Sequence, residues 1–228
     1  MNADKQTEPK IIHHHLGLGD HIICNGLVRR LYQLDPNLLL VVKEQNLKNV
    51  RRMFQDINLS YKPVNNQYTG NMGHHVLGSS WKKQRISFDQ SFYKDADIPF
   101  SERWESFYVE RDKHKEQKVT DFEIHNLISK KLLKSETDDF ALVQNQDSKG
   151  KVRINIKTSL PIIYLNKNPL EDTIFDWMGL IDRASEIHCP DSSFIHLVDS
   201  MKPKAKLFFY NNRRIPFARR LEWETINC

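Results

Sequence analysis

Two α/β domains, each built on a parallel sheet, are predicted by three features of the 228-residue sequence. Short apolar runs alternate with helix-period stretches over residues 10–57, and the same alternation returns over residues 140–210. A dense charge run, Glu110–Lys118 (ERDKHKEQK), stands between them and reads as a solvated bridge. The domains are therefore placed at 1–115 and 116–228. A chain of this length buries a core without disulfides or structural metals.

Lys10–Leu16 (KIIHHHL) is apolar and β-leaning and breaks at Gly17-Leu18-Gly19, so it reads as a strand followed by a tight loop. Asp20 follows as a helix N-cap. Ile23, Leu27, Leu31 and Leu34 then recur at helical spacing, in a helix that closes before Pro36. Leu38–Val42 is a continuous apolar run, as expected of a strand covered on both faces, and Leu47, Val50, Phe54 and Ile57 form the next helical stripe. The order β-α-β-α implies a parallel sheet. The middle, with Gly70, Gly73, Gly78 and the aromatic-rich stretch Phe88–Tyr108, reads as loops and short helices.

A helix over Thr120–Lys134 opens the second region. Strands follow at Phe140–Gln144, Val152–Ile156 and Pro161–Leu165, then a helix over Thr173–Ser185 whose buried stripe is Ile174, Met178 and Ile181. Strand Glu186–Cys189 breaks at Pro190, a helix opens at Asp191-Ser192, and strand Lys206–Tyr210 completes the unit.

Composition excludes several classes. The longest apolar runs, Leu38–Val42 and Ile162–Leu165, fall far short of the ~20 residues that span a bilayer. The first ten residues (MNADKQTEPK) lack an apolar core for a secretory signal. Three cysteines without CxxC spacing fit a reducing compartment and not a zinc knuckle, and the expected location is the cytoplasm. A net charge of +5 and a pI near 9.0 permit nucleic acid, anionic lipid or phosphorylated small molecules without choosing among them. The basic residues near the end, Lys202, Lys204, Lys206, Arg213, Arg214, Arg219 and Arg220, read either as anion contacts or as a soluble surface, with no RNP-type stacking motif beside them.

Two short constellations carry the chemistry. Gly17-Leu18-Gly19-Asp20 lies where a first parallel strand meets a helix, a place where backbone approaches ligands closely. Ile22 stands where a GxGxxG fingerprint has its third glycine, so a nicotinamide or flavin cofactor is not expected. Asp20 is either the N-cap alone or a carboxylate that accepts a proton from a substrate hydroxyl. In the second constellation, Asp191-Ser192-Ser193 also sits at a strand-to-helix junction, where hydroxyls and backbone N–H groups can hold a diphosphate. His196 lies one turn on from Ser192. The alternative is a well-capped helix with a satisfied core histidine; without a GxSxG elbow, a hydrolase triad is not supported. His13, His14, His15, His21, His74 and His75 come without HExxH or a carboxylate facial set, so no metal is expected, and His15 is read as a substrate hydrogen-bonding group. Lys149, in the turn Asp147–Gly150, is either a phosphate contact or simply solvated.

Residues 14–31 (HHLGLGDHIICNGLVRRL) and 173–201 (TIFDWMGLIDRASEIHCPDSSFIHLVDSM) resemble the two halves of GT-B glycosyltransferases, in particular the ADP-heptose:lipopolysaccharide heptosyltransferase-like family. The resemblance implies two Rossmann-like domains in a compact GT-B arrangement, with the active site in the cleft between them. It implies inverting, metal-independent transfer from a nucleotide-diphosphate sugar to an acceptor hydroxyl, with no further cofactor. Asp20, matching the family's Gly-Asp, would be the base, with Gly17 and Gly19 beside the donor. Asp191, Ser192, Ser193 and His196, with Lys149, would hold the donor diphosphate, although Ser193 stands where the family has glycine. His15, Arg103, Trp104 and Tyr93 are the expected acceptor contacts, aromatics there being core residues otherwise. The implied partners are a nucleotide sugar and a glycan, lipid-linked or other hydroxyl acceptor, with an anionic membrane surface as a peripheral contact. Two other classes remain open: a non-catalytic or epimerase-like sugar-nucleotide-binding module, and a basic nucleic-acid-binding α/β protein.

Overall fold

The apolar strand β2 (Leu38–Lys43) lies between two parallel neighbours, as a run without polar alternation requires. Those neighbours are β1 (Lys10–His13), in register Ile11↔Leu39, and β3 (Ser60–Val64), in register Val41↔Lys62. β4 (His75–Val76) adds to the other side of β1, giving the order β3-β2-β1-β4, parallel throughout. The computed structural model describes residues 8–65, 67, 75–81, 86–147, 150–151, 154–165, 168–211 and 217–227. The chain forms two units, Met1–Glu110 with Ile215–Ala218, and Arg111–Arg214 with Arg219–Cys228.

In the first unit the helix expected after Gly19 is two helices, α1 (Leu18–Ile23) and α2 (Asn25–Leu34), interrupted at Cys24, whose ψ of 4° leaves the helical range. The periodicity of Ile23, Leu27 and Leu31 survives the interruption because all three remain buried. A 3-10 turn (Glu44–Asn46) leads into α3 (Leu47–Met53), and α4 (Phe88–Asp95) and α5 (Glu102–Glu105) form the aromatic-rich middle. α2 approaches α5 through Gly26: a Cβ there would lie 1.9 Å from the Glu102 carbonyl oxygen. Backbone cannot yield as a flexible side chain does, so Gly26→Ala is expected to destabilise the unit by about 1–3 kcal/mol. Urea titration checks this, and an unchanged midpoint would show that the helices separate without cost.

The second unit begins with α6 (Lys113–Ser129). Its first turns take in Lys113–Lys118 of the charge run, and Glu110–Asp112 precede the helix. Two local devices make it so. Asp112 caps the helix by accepting from the Lys115 N–H at 2.9 Å, and the Arg111 guanidinium pairs with Glu116 and Asp182. β5 (Ala141–Val143) is followed by a small antiparallel pair, β6 (Gln146–Asp147) with β7 (Gly150–Lys151), and by β8 (Ile162–Tyr164). The strand expected over Val152–Ile156 is not formed at 154–156, and residues 152–153 lie outside the described residues. Where one helix is expected over Thr173–Ser185, a 3-10 turn (Ile174–Trp177) precedes α7 (Met178–Arg183). β9 (Glu186–Pro190), α8 (Ser193–Met201), β10 (Lys206–Asn211) and β11 (Glu224–Asn227) complete a parallel sheet of order β11-β10-β9-β5-β8.

Asp199, 1% exposed, ties the chain after β10 onto α8: its carboxylate accepts from the backbone N–H groups of Arg220 and Leu221 and from Trp223 Nε1, each at 2.9–3.1 Å. Cys24 and Cys189 are buried thiols whose pKa values burial pushes up, which keeps them protonated and unreactive. Cys228 lies outside the described residues. No helix among the described residues is long and apolar enough to cross a membrane.

Candidate functional site

In an open parallel sheet, ligands bind outside the carboxyl ends of strands at the point where strand order reverses. The first sheet reverses between β1 and β4, because β2 and β3 build outward on one side of β1 while β4 lies on the other. The second reverses between β5 and β9, with β8 on the far side of β5. Gly17–Asp20 follows β1, and Asp191–Ser193 follows β9. Each constellation picked out in the sequence therefore stands at the switch point of its own sheet.

At the end of β1 the residue in the left-handed region is not a glycine but Leu16, with φ 64°. Such a conformation costs a non-glycine residue on the order of 1–3 kcal/mol and is held here from both sides. The Leu16 N–H donates to His14 Nδ1 at 3.1 Å, and its carbonyl accepts from Asn46 Nδ2 at 2.9 Å. Gly17 has an ordinary φ of −71°. Its value is room: a Cβ would lie 2.8 Å from Asp20 Oδ2, the atom that accepts the Gly17 N–H at 3.1 Å. Gly17 is thus the cap residue and Asp20 the third residue of α1, which corrects the placing of Asp20 at the N-cap. The half-buried carboxylate folds back over the helix start, and Gly19 lies in the same turn.

The other lip of this switch point was not legible as a site. After β4, Leu77 N–H donates to the His13 carbonyl at 2.8 Å. Gly78 turns the chain at φ +78°, where a Cβ would meet Phe92. The carboxylate of Asp95, at the end of α4, holds Ser79 and Ser80. His15, exposed, reaches across, with Nε2 3.4 Å from the Gly78 carbonyl and its ring edge-on to Phe88 at 4.7 Å; Trp81 meets Phe88 at 5.8 Å. The signal available in the sequence was the Gly-Ser-Ser-Trp that ends the short β-leaning pair His75-Val76.

Two buried imidazoles flank the Gly17–Asp20 loop in sequence. His14 and His21 are 3% and 1% exposed and meet edge to face at 4.2 Å. Accepting at Nδ1 places the His14 proton on Nε2. Neither that Nε2 nor either ring nitrogen of His21 has a hydrogen-bond partner among the described residues. Burial drives both pKa values down, His21 to about 3, and the neighbouring His13, His15 and His21 add to the effect at His14. Both rings are neutral in the folded chain and take up a proton near pH 6.5 in the unfolded chain. Their contribution is therefore complete above about pH 6.5 and is lost progressively as pH falls toward about 3. For His21 alone this is on the order of 5 kcal/mol. Thermal melts across this window are expected to show a falling midpoint, flattened in His21→Leu; identical pH slopes in the two proteins would refute the assignment.

Three of the expected acceptor contacts belong in part or whole to the packing of the first unit. Arg103, 1% exposed, pairs with Asp89, 0% exposed, and donates to the Ala218 carbonyl at 2.9 Å. Tyr93, also buried, donates its hydroxyl to the Ile23 carbonyl at 2.7 Å. A guanidinium and a phenol committed in this way have no surface to offer an acceptor, which corrects their reading as contacts. Trp104 is half-buried, edge-on to Phe100 at 5.2 Å and under the Arg103 guanidinium at 4.9 Å.

In the second unit Ser192 is the N-cap of α8, in extended backbone, and Ser193 is the first helical residue. The buried Ser192 Oγ has no hydrogen-bond partner among the described residues, and neither has the buried Oδ1 of Asn145, just beyond β5 on the other side of the switch point. Buried polar atoms are ordinarily paired, so two orphans flanking one helix start are what a site made for polar ligand atoms leaves behind. Asn145 was missed by sequence reasoning, since a lone Asn after an apolar strand reads as a turn residue. His196 follows one turn later at 6% exposure. His188, in β9, is structural: it bonds Tyr210 Oη at 3.1 Å and Glu186 at 3.2 Å and stacks on Phe208, and burial holds its pKa down against the pull of Glu186. Lys149, His74, Arg213 and Arg214 lie outside the described residues. Among those described, no group of three or more His, Cys, Asp or Glu is arranged to hold a metal ion.

The fold is thus of the α/β class, with two parallel sheets and a loop-to-helix junction at each switch point. It is similar to a solved structure of a glycosyl transferase family 9 protein from Veillonella parvula DSM 2008, with a TM-score of 0.56 and 10% sequence identity, over 100% of this chain and 88% of that one. At that identity the likeness is one of fold. No protein-family model matches the chain, and no curated protein matches it.

Proposed function

We propose that the chain is a glycosyltransferase that moves a sugar from a nucleotide-diphosphate donor to an acceptor hydroxyl. The observation that carries this reading is the position of Gly17–Asp20 and Asp191–Ser193, each at a switch point, in a fold similar to that of a family 9 glycosyl transferase. The second unit takes the donor. The backbone N–H groups at the start of α8 and the positive end of its dipole meet the diphosphate, while Ser192 Oγ donates to a diphosphate oxygen and Asn145 Oδ1 accepts from a hydroxyl of the donor. The N–H groups, the helix dipole and the Ser192 hydroxyl stabilise the charge that grows on the leaving diphosphate.

The first unit takes the acceptor, a glycan or lipid-linked hydroxyl. Asp20 accepts the hydroxyl proton as the acceptor oxygen attacks the anomeric carbon. The bond from that carbon to the diphosphate oxygen breaks, nucleoside diphosphate leaves, and configuration inverts. His15, Trp81 and Phe88 form the aromatic edge beside this loop.

A panel of UDP-, GDP-, ADP- and dTDP-sugars tests the proposal by thermal shift and nucleotide release. One donor is expected to raise the melting temperature, by about 2.7 kcal/mol of stabilisation at a hundred times its Kd, with a smaller rise in Ser192→Ala. Stabilisation without release in the presence of hydroxyl acceptors would point to a sugar-nucleotide-binding module. No response to any donor, with salt-dependent binding of DNA or RNA instead, would replace the proposal by nucleic-acid binding.

A further inference from the structure

Along the second half of α2 the first unit holds a cavity of about 380 Å3. Its lining includes Arg29, Tyr32, Gln33, Glu105, Phe107 and Tyr108, and its volume lies within the range of small-molecule sites, roughly 300–1,000 Å3. Neither loop assigned to transfer contributes to it.

Arg29 suggests an anion site at first sight, but its charge is committed elsewhere. The guanidinium holds Asp56 through two bonds of 2.8 Å and donates to the Met53 carbonyl at 3.0 Å. That pairing keeps the Asp56 carboxyl below its ordinary range. The other charged group on the lining is the Glu105 carboxylate. A phosphate or carboxylate ligand would meet no uncompensated positive charge and one negative one. The lining therefore favours a neutral ligand.

Three aromatic side chains narrow the class further. Tyr108 is 51% exposed, yet its backbone is fixed on both sides by the fully buried Asn25. Its N–H donates to Asn25 Oδ1 at 2.9 Å, and its carbonyl accepts from Asn25 Nδ2 at 3.0 Å and from Arg29 Nε at 3.2 Å. The Arg29 guanidinium also sits 5.0 Å from the Tyr108 ring centroid. Two buried polar side chains thus fix the backbone that carries a ring half in water, and one of them packs its guanidinium against that ring. Such preorganisation lowers the ordering cost of binding. A fixed aromatic surface beside amide and carboxylate groups matches a pyranose, which offers an apolar C–H face and a rim of hydroxyls.

We propose that this cavity is a second carbohydrate site, which binds a neutral pyranose unit through the Tyr108 ring with Gln33 and Glu105 at its hydroxyls. It goes beyond the transferase reading, because binding here needs neither donor nor turnover.

The test is a titration of the full-length 15N-labelled protein with methyl α-D-mannopyranoside, methyl β-D-galactopyranoside and methyl β-D-glucopyranoside, followed by amide chemical shifts. At least one sugar is expected to give saturable shifts at Tyr32, Gln33 and residues 105–108. Tyr108→Ala is expected to weaken it about tenfold, and Tyr108→Phe, which keeps the ring, by no more than about threefold. Should Tyr108→Ala lose its dispersed spectrum, Glu105→Ala provides the same comparison at an exposed side chain. The proposal is overturned if none of the sugars gives saturable shifts, if shifts are confined to Gly17–Asp20, or if the folded variant binds as tightly as the parent. Failure of the transferase reading would appear separately, as absent nucleotide release with this titration unchanged.

Discussion

Asp20→Asn is expected to lower sugar transfer by at least about a hundredfold, the usual contribution of a positioned general base, while leaving donor binding and stability close to those of the parent. The substitution is nearly isosteric, and the amide oxygen still accepts the Gly17 N–H that the carboxylate receives at 3.1 Å. The start of α1 is therefore preserved and only basicity is removed. With the donor panel, the melting-temperature rise should persist in the variant while nucleoside diphosphate release collapses. A variant that transfers at the parental rate would end the assignment of Asp20 as base, whatever the fate of the donor site.

Arg103→Met is expected to produce the largest loss of stability, about 3–5 kcal/mol, because it leaves a buried carboxylate without its cation. The pair is 1% and 0% exposed at its two side chains. Asp89 Oδ2 additionally accepts the Ala218 N–H at 2.9 Å, while Arg103 bonds the carbonyl of the same residue. The melting temperature should drop by roughly 10–20 °C for a unit of this size. Removing both charges in Arg103→Met/Asp89→Leu should recover part of the loss, since an apolar replacement of a whole buried pair is far better tolerated than half of one. A single variant that melts with the parent would mean that water reaches Asp89.

The alternation of apolar runs and helical stripes correctly gave two parallel sheets, because burial on both faces leaves a continuous signature in residues such as Leu38–Val42. Boundaries were less legible. Nothing in Ile23-Cys24-Asn25 announces that a helix stops and restarts, and a charge run carries no mark of whether it is coil or, as at Lys113–Lys118, the first turns of a capped helix. At the candidate sites, one lip of each switch point was visible as Gly-Asp and Asp-Ser-Ser beside a strand. The opposing lips, Gly78–Trp81 and Asn145, come from strands far away in sequence, and only the strand order brings them beside the first. Gly17 was expected to let the backbone approach a ligand and supplies space for a carboxylate, a distinction that depends on the φ values of Leu16 and Gly17 and not on composition. The Arg103 pair illustrates the same gap: an arginine within an aromatic stretch reads as a contact until its partner, 14 residues away, is located.

The backbone of Ala218 has a consequence for how this chain can be cut or made. The amide and carbonyl that complete the Asp89–Arg103 pair lie 115 residues beyond Arg103. A fragment ending at Glu110 would contain all four strands of the first sheet and still bury a carboxylate and a guanidinium short of their final bonds. The leading half of the polypeptide is then not an autonomous bead. During synthesis its interior waits, incompletely satisfied, until a segment from the far end of the chain comes back to close it.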